Sequence, residues 1–249
     1  MIRYFRQKRL EKIRRYATQG TLLDIGCGGG QFLVFLRENG WQVAGIEVNE
    51  EMATYGRESL NLNIKTGDLQ EAGFSENTFD VITLFHVLEH IQDPIVTLRE
   101  CYRILKPGGL LVIAVPNFNS WQSRWTRKHW FHLDVPHHLH HFSAKTLQNF
   151  LEENSFRVGE VEHFSLEQNP FGFLQSLLNW SHMGHNALYD TLKTKRLRAK
   201  FSWKLIPTFA LLPILLPISL FASILESLSR CGGTIEAYAL KTIPKEKLT

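Results

Sequence analysis

Short apolar runs alternate with longer amphipathic segments along most of the chain, which is the pattern of strands alternating with helices in an α/β protein. The run from Phe79 to His86 is almost continuously apolar, as in a strand that is buried on both faces of its sheet. We predict strands at 22–25, 43–48, 63–68, 79–86, 110–115, 156–164 and 234–240.

Capping and turn residues separate these strands from the predicted helices. Asn49 and Ser143 are N-cap residue types, and each precedes a segment with helical periodicity. Asp93 and Pro94 are the types preferred at the N-cap and at the first position of a helix. Residues 106–109 read Lys-Pro-Gly-Gly and predict a turn that leads into the fifth strand.

A glycine-rich turn follows the first predicted strand. It reads D-x-G-x-G-x-G, with Asp24 inside the strand and glycines at 26, 28 and 30. Glycines at these positions allow a tight turn and let a ligand approach bare peptide groups. The dinucleotide fingerprint G-x-G-x-x-G requires glycine at position 31, where this chain has Gln31.

Three further features follow in order along the chain. Glu47 ends the second strand about twenty residues after the glycines, where an acid can accept hydrogen bonds from ribose hydroxyls. "HVLEHIQDP" at 86–94 follows the fourth strand, and "LKPGGLLVIAVPN" at 105–117 contains the fifth. With the glycine turn, these segments closely resemble the class I S-adenosylmethionine-dependent methyltransferases, particularly the subgroup that includes quinone-biosynthesis O-methyltransferases.

The resemblance covers roughly residues 20–165 and 232–242. It implies a Rossmann-like, seven-stranded, mostly parallel sheet with an antiparallel last strand, and a helical apolar insertion before that strand. It also implies S-adenosylmethionine as cofactor and a small or lipid-like methyl acceptor, with O-methylation expected. The residues that it assigns to the cofactor are Asp24, Gly26, Cys27, Gly28, Glu47, Val48, Asp68, Leu69 and Phe85.

Histidines supply the candidate catalytic groups. His86 and His90 follow the fourth strand, at the edge where ligands of open α/β sheets bind, and a histidine is suited to deprotonate a hydroxyl. A capping role is the alternative for His86, and Glu89 is expected to face solvent. His138 and His141 belong to the loop that the family places over the acceptor pocket.

That loop, 121–141, holds six of the eleven histidines, together with three tryptophans. No cysteine joins them, and Pro136 breaks the helical spacing of a zinc pair, so no metal is expected. Acceptor binding or acid–base chemistry is the favoured interpretation. Histidines that only satisfy backbone groups are the alternative.

Length and composition favour one elaborated domain. The chain has 249 residues, 44% of them hydrophobic, and a modest net charge of +4, so no nucleic-acid partner is expected. Its three cysteines lack metal or disulfide spacing, which favours a reducing cytoplasm. The basic N-terminus has no apolar stretch behind it and does not read as a signal peptide.

Two basic stretches and one apolar segment complete the pattern. Residues 1–20 carry seven Lys/Arg, either on a helix that covers one side of the cofactor pocket or on one that lies on anionic lipid. Residues 193–204 carry six more and lead into 205–225, which has no charge and is long enough to span a membrane. The prolines at 207, 213 and 217 are expected to interrupt a helix there.

A simple span of 205–225 would leave the last strand on the wrong side of the bilayer. A lid over the active site and an interfacial contact of 193–229 with the inner face of a membrane both stay open. We therefore divide the chain into an N-terminal helix (1–20), a cofactor-binding core (21–166), an insertion (167–230) and a final strand with tail (231–249). A non-catalytic membrane-associated scaffold and a nicotinamide-dependent oxidoreductase are the rival functions.

Overall fold

The computed structural model describes residues 2–163, 165, 168–181, 185–193 and 206–242. Its helices are α1 (Ile2–Ile13), α2 (Gln31–Glu38), α3 (Glu50–Leu60), α4 (Pro94–Ile104), α5 (Trp121–Thr126), α6 (Ala144–Glu153), α7 (Asn169–Trp180), α8 (Ala187–Lys193) and α9 (Ile206–Leu228). Its strands are β1 (Thr21–Ile25), β2 (Gln42–Glu47), β3 (Ile64–Thr66), β4 (Phe79–Phe85), β5 (Leu105–Pro116), β6 (Phe156–Glu162) and β7 (Thr234–Lys241). Short 3-10 helices occupy Leu88–His90, Arg127–His129 and Phe131–Leu133.

The strands form one seven-stranded sheet in the order β3-β2-β1-β4-β5-β7-β6. The strands from β3 to β5 are parallel to their neighbours, whereas β7 runs antiparallel to both β5 and β6. The predicted Rossmann-like sheet with an antiparallel last strand is confirmed. Because the order reverses between β1 and β4, the carboxyl ends of these strands open onto a crevice.

The fifth strand begins earlier than its apolar run. Phe79 pairs with Leu105, but Val81 pairs with Leu110, so the register shifts at residues 106–109. The predicted Lys-Pro-Gly-Gly turn is therefore an irregular bulge inside β5. An extra loop of chain on one strand leaves its residues without ladder partners, which explains why the apolar pattern did not extend through it.

Local capping signals explain where two helices begin. The side chain of Asn49 accepts a hydrogen bond from the Met52 N–H, and Asp93 accepts from the N–H groups of Ile95 and Val96. Each carboxyl or amide oxygen satisfies amides that the first helical turn leaves unpaired. Both predicted N-caps are confirmed.

The N-terminal helix packs into the main hydrophobic core. Leu10 and Ile13 are completely buried in one cluster with Leu22 of β1 and Tyr238 of β7. The Lys12 Nζ also donates to a carboxylate oxygen of β7 at 3.0 Å. Packing against the sheet is therefore the arrangement of α1, rather than a helix lying on lipid through these residues.

The chain divides into two compact units. The first comprises Met1–Val115, Thr146–Val161 and Glu236–Thr249, and it contains the greater part of the sheet. The second comprises Pro116–Lys145 and Glu162–Ile235, and its helices include α5, α7, α8 and α9. Leu174, Leu178 and Leu188 form a small buried cluster in the second unit.

The long apolar helix α9 continues through Pro213 and Pro217. The expectation that these prolines would interrupt it is wrong. Each removes one N–H donor to the carbonyl four residues earlier, but the remaining hydrogen bonds and packing against α7 maintain a 23-residue helix. Pro207 lies in the first turn, where the missing N–H has no helical partner in any case.

Candidate active site

A cavity of about 650 Å³ lies within the first unit, at the carboxyl edge of the sheet. The ends of β1, β2, β3 and β4 contribute to its wall, and the segment leading into α4 closes another side. Its lining residues are Ile25, Gly26, Ile46, Glu47, Val48, Gly67, Asp68, Leu69, Gln70, His86, Val87, His90, Ile91, Gln92, Asp93, Val96 and Thr97. A cavity at this edge is the expected ligand position in an open α/β sheet.

The glycine turn places bare backbone beside this cavity. Gly26 has φ +72°, and a Cβ there would lie 2.3 Å from a Val87 methyl carbon. Gly28 has φ +54°, and a Cβ there would meet nothing within 4 Å. The first glycine is thus required by packing as well as by conformation, whereas the second borders open space that a ligand can fill.

Glu47 links the second strand to this turn. One carboxylate oxygen accepts the Gly28 N–H at 2.8 Å, and the other accepts the Asn49 N–H at 2.9 Å. Each carboxylate oxygen has two acceptor sites, so both retain capacity for a hydroxyl donor in the cavity. The acid therefore shapes the glycine turn and also offers oxygens to a ligand.

Asp24 and Thr83 form a buried pair behind the turn. The Thr83 hydroxyl donates to the Asp24 carboxylate at 2.6 Å. Burial raises the pKa of Asp24 to about 6, against the lowering effects of this hydrogen bond and of the Arg9 charge. Asp24 does not line the cavity, so its place in the structure is beneath the turn that does.

Cys27, Gly28 and Phe85 also lie outside the cavity lining. Burial raises the pKa of the Cys27 thiol to about 12, so this side chain is a poor nucleophile. The Phe85 ring packs edge-on against Phe32, with ring centroids 5.8 Å apart. The side chains of Cys27 and Phe85 therefore lie behind the cavity wall.

The loop that follows the third strand lines another part of the cavity. Asp68 accepts the Glu71 N–H at 2.9 Å, which fixes the loop that follows β3. Leu69 is buried and Val48 is largely exposed, and both line the cavity with Asp68. An apolar wall beside a carboxylate suits a flat heteroaromatic ring with an exocyclic amino group.

His86 and His90 both line the cavity. His86 has φ +57°, an uncommon conformation for a residue other than glycine, and its N–H donates to the Ala114 carbonyl at 2.9 Å. Constrained backbone of this kind is frequent at functional sites.

Glu89 is only 1% exposed, and its Oε1 lies 3.5 Å from His86 Nδ1. The expectation that it would face solvent is wrong, because the 3-10 turn at Leu88–His90 directs this side chain inward. Neither of its carboxylate oxygens has a hydrogen-bond partner among the residues that the structure describes.

Nothing in the sequence pattern singled out Arg9. Its guanidinium lies 4.4 Å from the centroid of the Phe85 ring, and its charge acts on Asp24. Arg9 does not line the cavity, so its contribution is a positive charge that lowers the pKa of Asp24 behind the turn. The only sequence signal for it was the basic character of the N-terminal helix.

The other two predicted catalytic histidines belong to the second unit. His138 Nδ1 lies 2.8 Å from the His132 carbonyl oxygen, and His141 Nε2 lies 3.0 Å from that of Leu133. One ring nitrogen of each thus holds the loop backbone, in line with the structural alternative for these histidines. Their role at an acceptor stays a prediction.

Residues 2–161 match the methyltransferase domain family. The chain belongs to this family. The predicted resemblance to class I S-adenosylmethionine-dependent methyltransferases is therefore confirmed, and the chain carries a methyltransferase domain.

Among relatives of this methyltransferase domain, the ubiquinone biosynthesis O-methyltransferase of Coxiella burnetii is 32% identical over 103 residues, covering 39% of this chain and 44% of the relative. The demethylmenaquinone methyltransferase of Listeria welshimeri is 30% identical over 128 residues, covering 47% of this chain and 54% of the relative. The chain thus spans about half the length of the curated relatives it matches.

Two solved structures show the same fold. A putative sarcosine dimethylglycine methyltransferase from Galdieria sulphuraria has TM-score 0.62 at 18% identity, over 97% of this chain and 85% of that one. Phosphoethanolamine N-methyltransferase 2 from Haemonchus contortus, in complex with S-adenosyl-L-methionine, has TM-score 0.59 at 20% identity, over 96% and 53%.

The cavity of this methyltransferase domain fits the family cofactor, S-adenosylmethionine. Gly26 offers bare backbone to a ligand in this cavity, and Glu47 offers acceptors for ribose hydroxyls. Val48 and Leu69 provide an apolar wall for a nucleobase. Carboxylate acceptors beside an apolar wall are what an adenosine group requires.

Proposed function

We propose that the protein transfers the methyl group of S-adenosylmethionine to a hydroxyl of a small, lipid-like acceptor. The observation that supports this proposal is that candidate ribose acceptors and a histidine line one cavity. When bound, the cofactor supplies a methyl group that is activated by an adjacent sulfonium. The protein's own contribution is to orient donor and acceptor and to remove the hydroxyl proton.

Each wall of the cavity has a separate role in this proposal. Glu47 accepts the ribose hydroxyls, and Asp68 accepts the amino group of an adenine that packs on Leu69. The peptide groups at Gly26 bind the amino-acid part of the cofactor. Asp24 holds the glycine turn from below through its contacts with the strands.

His86 is the proposed general base. It lines the cavity, and an imidazole has the basicity suited to accept a proton from a hydroxyl near neutral pH. His90, also in the lining, is the second candidate. The Coxiella relative is named an O-methyltransferase, which supports oxygen as the methylated atom.

The amphipathicity of α9 supports an acceptor that resides in lipid. Its polar residues Thr208, Ser219, Ser223 and Glu226 are buried, whereas most of its large apolar side chains are exposed. The exposed ones are Ile214, Leu216, Ile218, Leu220, Phe221, Ile224, Leu225 and Leu228. This is the reverse of a helix that packs its apolar face onto a water-soluble core, and it is typical of a helix that faces lipid.

Two of the buried polar side chains on α9, Ser219 and Glu226, have hydrogen-bond partners within the second unit. The Glu226 carboxylate accepts the Gln122 N–H at 2.9 Å and its side-chain amide at 3.1 Å. Helix α7, in contrast, buries the apolar side chains Phe173, Leu174 and Leu178. The burial of polar side chains together with exposure of most large apolar ones is therefore specific to α9 in this pair of helices, and inward-facing polar groups are typical of helices in membranes.

We propose that the second unit attaches the protein peripherally to the cytoplasmic face of a membrane. Among the described residues, 207–228 is the one helix long and apolar enough to cross a bilayer, by length and composition alone. Yet residues 163–233, which include this helix, connect β6 to β7, and these two strands are neighbours in the sheet. Interfacial insertion agrees with that return, and residues 194–204, which lie outside the described residues, add basic charge in sequence.

Flotation with vesicles of phosphatidylcholine and phosphatidylglycerol tests the membrane proposal. Wild-type protein should float at low salt, and added salt should weaken binding. The double variant Ile218→Asp/Phe221→Asp removes two exposed apolar anchors, each worth about 1.5–3 kcal/mol, and should lower vesicle affinity at least 100-fold. Tyr4→Asp, at an exposed position of α1, is the matched control and should float normally.

A soluble wild-type protein at low salt would contradict this membrane contact. Loss of flotation in Tyr4→Asp alone would instead assign lipid binding to α1.

Transfer of label from methyl-labelled S-adenosylmethionine to fractions of a lipid extract tests the reaction. Label should enter an alkali-stable ether in a lipid fraction. Cofactor binding without transfer to any fraction would favour the scaffold, and tighter binding of a nicotinamide dinucleotide would favour the oxidoreductase. Label in an amine or on carbon would exclude O-methylation while leaving methyl transfer intact.

A further inference from the structure

The buried carboxylate of Glu89 has no function in the reaction described so far. It lies in the first unit behind the cavity wall, and neither oxygen accepts a hydrogen bond from a described residue. A carboxylate withdrawn from water is unfavourable unless a cation or a donor faces it. Within the first unit, two imidazole rings face it: His86, with Nδ1 at 3.5 Å, and His90, with a ring nitrogen within 4.8 Å of a Glu89 oxygen.

The backbone around His86 keeps this ring in place. Its N–H is bound to the Ala114 carbonyl of β5, and its φ of +57° turns the chain out of β4 into the 3-10 helix. That helix brings Glu89, three residues later, back beneath the ring. The pairing thus follows from one short turn and requires no distant segment.

We propose that Glu89 is a positioning residue for His86: its carboxylate accepts the Nδ1 proton and so leaves Nε2 as the basic nitrogen of the cavity. The proposal rests on the methyl transfer proposed above. In the reaction, the acceptor oxygen forms a bond to the methyl carbon as the sulfur–carbon bond breaks. The hydroxyl proton passes to Nε2, and the products are the methyl ether and the uncharged thioether.

The carboxylate then stabilises the imidazolium that this proton transfer creates. A distance of 3.5 Å is long for a hydrogen bond, but such contacts commonly shorten when a ligand binds. A carboxylate that fixes the tautomer of a histidine base is a recurrent catalytic arrangement. The other ionisable side chains that line the same cavity are Glu47, Asp68, His90 and Asp93.

Nitrogen-detected NMR of the histidine rings tests the pairing without any acceptor. Signals of His86 are assigned by their loss in His86→Gln. In wild-type protein the neutral ring should carry its proton on Nδ1, and in Glu89→Leu, which removes the acceptor, this preference over the Nε2–H form should be lost. Glu153→Leu, at an exposed position of α6, should leave the tautomer unchanged.

A wild-type ring protonated on Nε2 would overturn the proposal, and so would an unchanged tautomer in Glu89→Leu. If Glu89→Leu fails to fold, the wild-type tautomer alone decides. Broadening of the His86 signal by stoichiometric Mn²⁺ would assign the pair to a metal ion and overturn it as well. Because these readings require no turnover, they stand apart from any failure of the methyl-transfer assay.

Discussion

Removal of the Glu47 carboxylate should weaken cofactor binding in two ways. The side chain accepts N–H bonds from Gly28 and Asn49 at 2.8 and 2.9 Å, and it is the proposed acceptor for the ribose hydroxyls. In Glu47→Ala the glycine turn loses its link to β2, and the ligand loses its charged partner. Hydrogen bonds to a charged group are worth about 1.5–3 kcal/mol each, and partial exposure places these near the lower end.

A net loss of about 1–3 kcal/mol corresponds to a dissociation constant raised about 5- to 150-fold. Isothermal titration calorimetry with S-adenosylmethionine and with its demethylated product measures this change directly. Glu51→Ala, which removes an exposed acid of the same helix entrance, is the control and should bind like wild type. Equal affinities in wild type and Glu47→Ala would refute the assignment of this acid to the ribose.

Further substitutions and a pH titration test other parts of the site. Gly26→Ala should lower both melting temperature and cofactor affinity, because its Cβ would lie 2.3 Å from a Val87 methyl carbon. Gly108→Ala is the control: Gly108 also has positive φ (+73°), but its Cβ would meet nothing within 4 Å, so this variant should lose only a little stability. Equal effects of the two substitutions would contradict the steric argument for Gly26. His86→Ala should abolish most turnover while calorimetry shows normal cofactor affinity, and unchanged turnover would remove its role as base. Burial raises the pKa of Asp24 to about 6, so the folded state binds the carboxyl proton more tightly than the unfolded chain does. The free energy of unfolding should therefore fall by on the order of 2–3 kcal/mol as pH rises from about 4 to 7. Asp24→Asn should flatten this slope in thermal denaturation, whereas an unchanged slope would exclude Asp24 as its source.

Features with a local cause could be predicted from the sequence. Asn49 and Asp93 cap helices because their own side chains reach amides two or three residues away. Gly26 and Gly28 adopt positive φ in a turn whose glycine spacing is visible in the chain. The seven strands were likewise visible as apolar runs, and the family resemblance supplied their order and the antiparallel last strand.

Features that depend on distant contacts were decided only by the tertiary structure. Glu89 is buried because Leu88–His90 form a single 3-10 turn. The pattern of polar and apolar residues does not distinguish such a turn from a longer helix, so it did not predict this burial. Composition identified 205–225 as apolar, but only packing against α7 determined that Ser219 and Glu226 face inward and Phe221 outward. A helix has a polar and an apolar face in any environment, and the surface it packs against determines which of the two is buried.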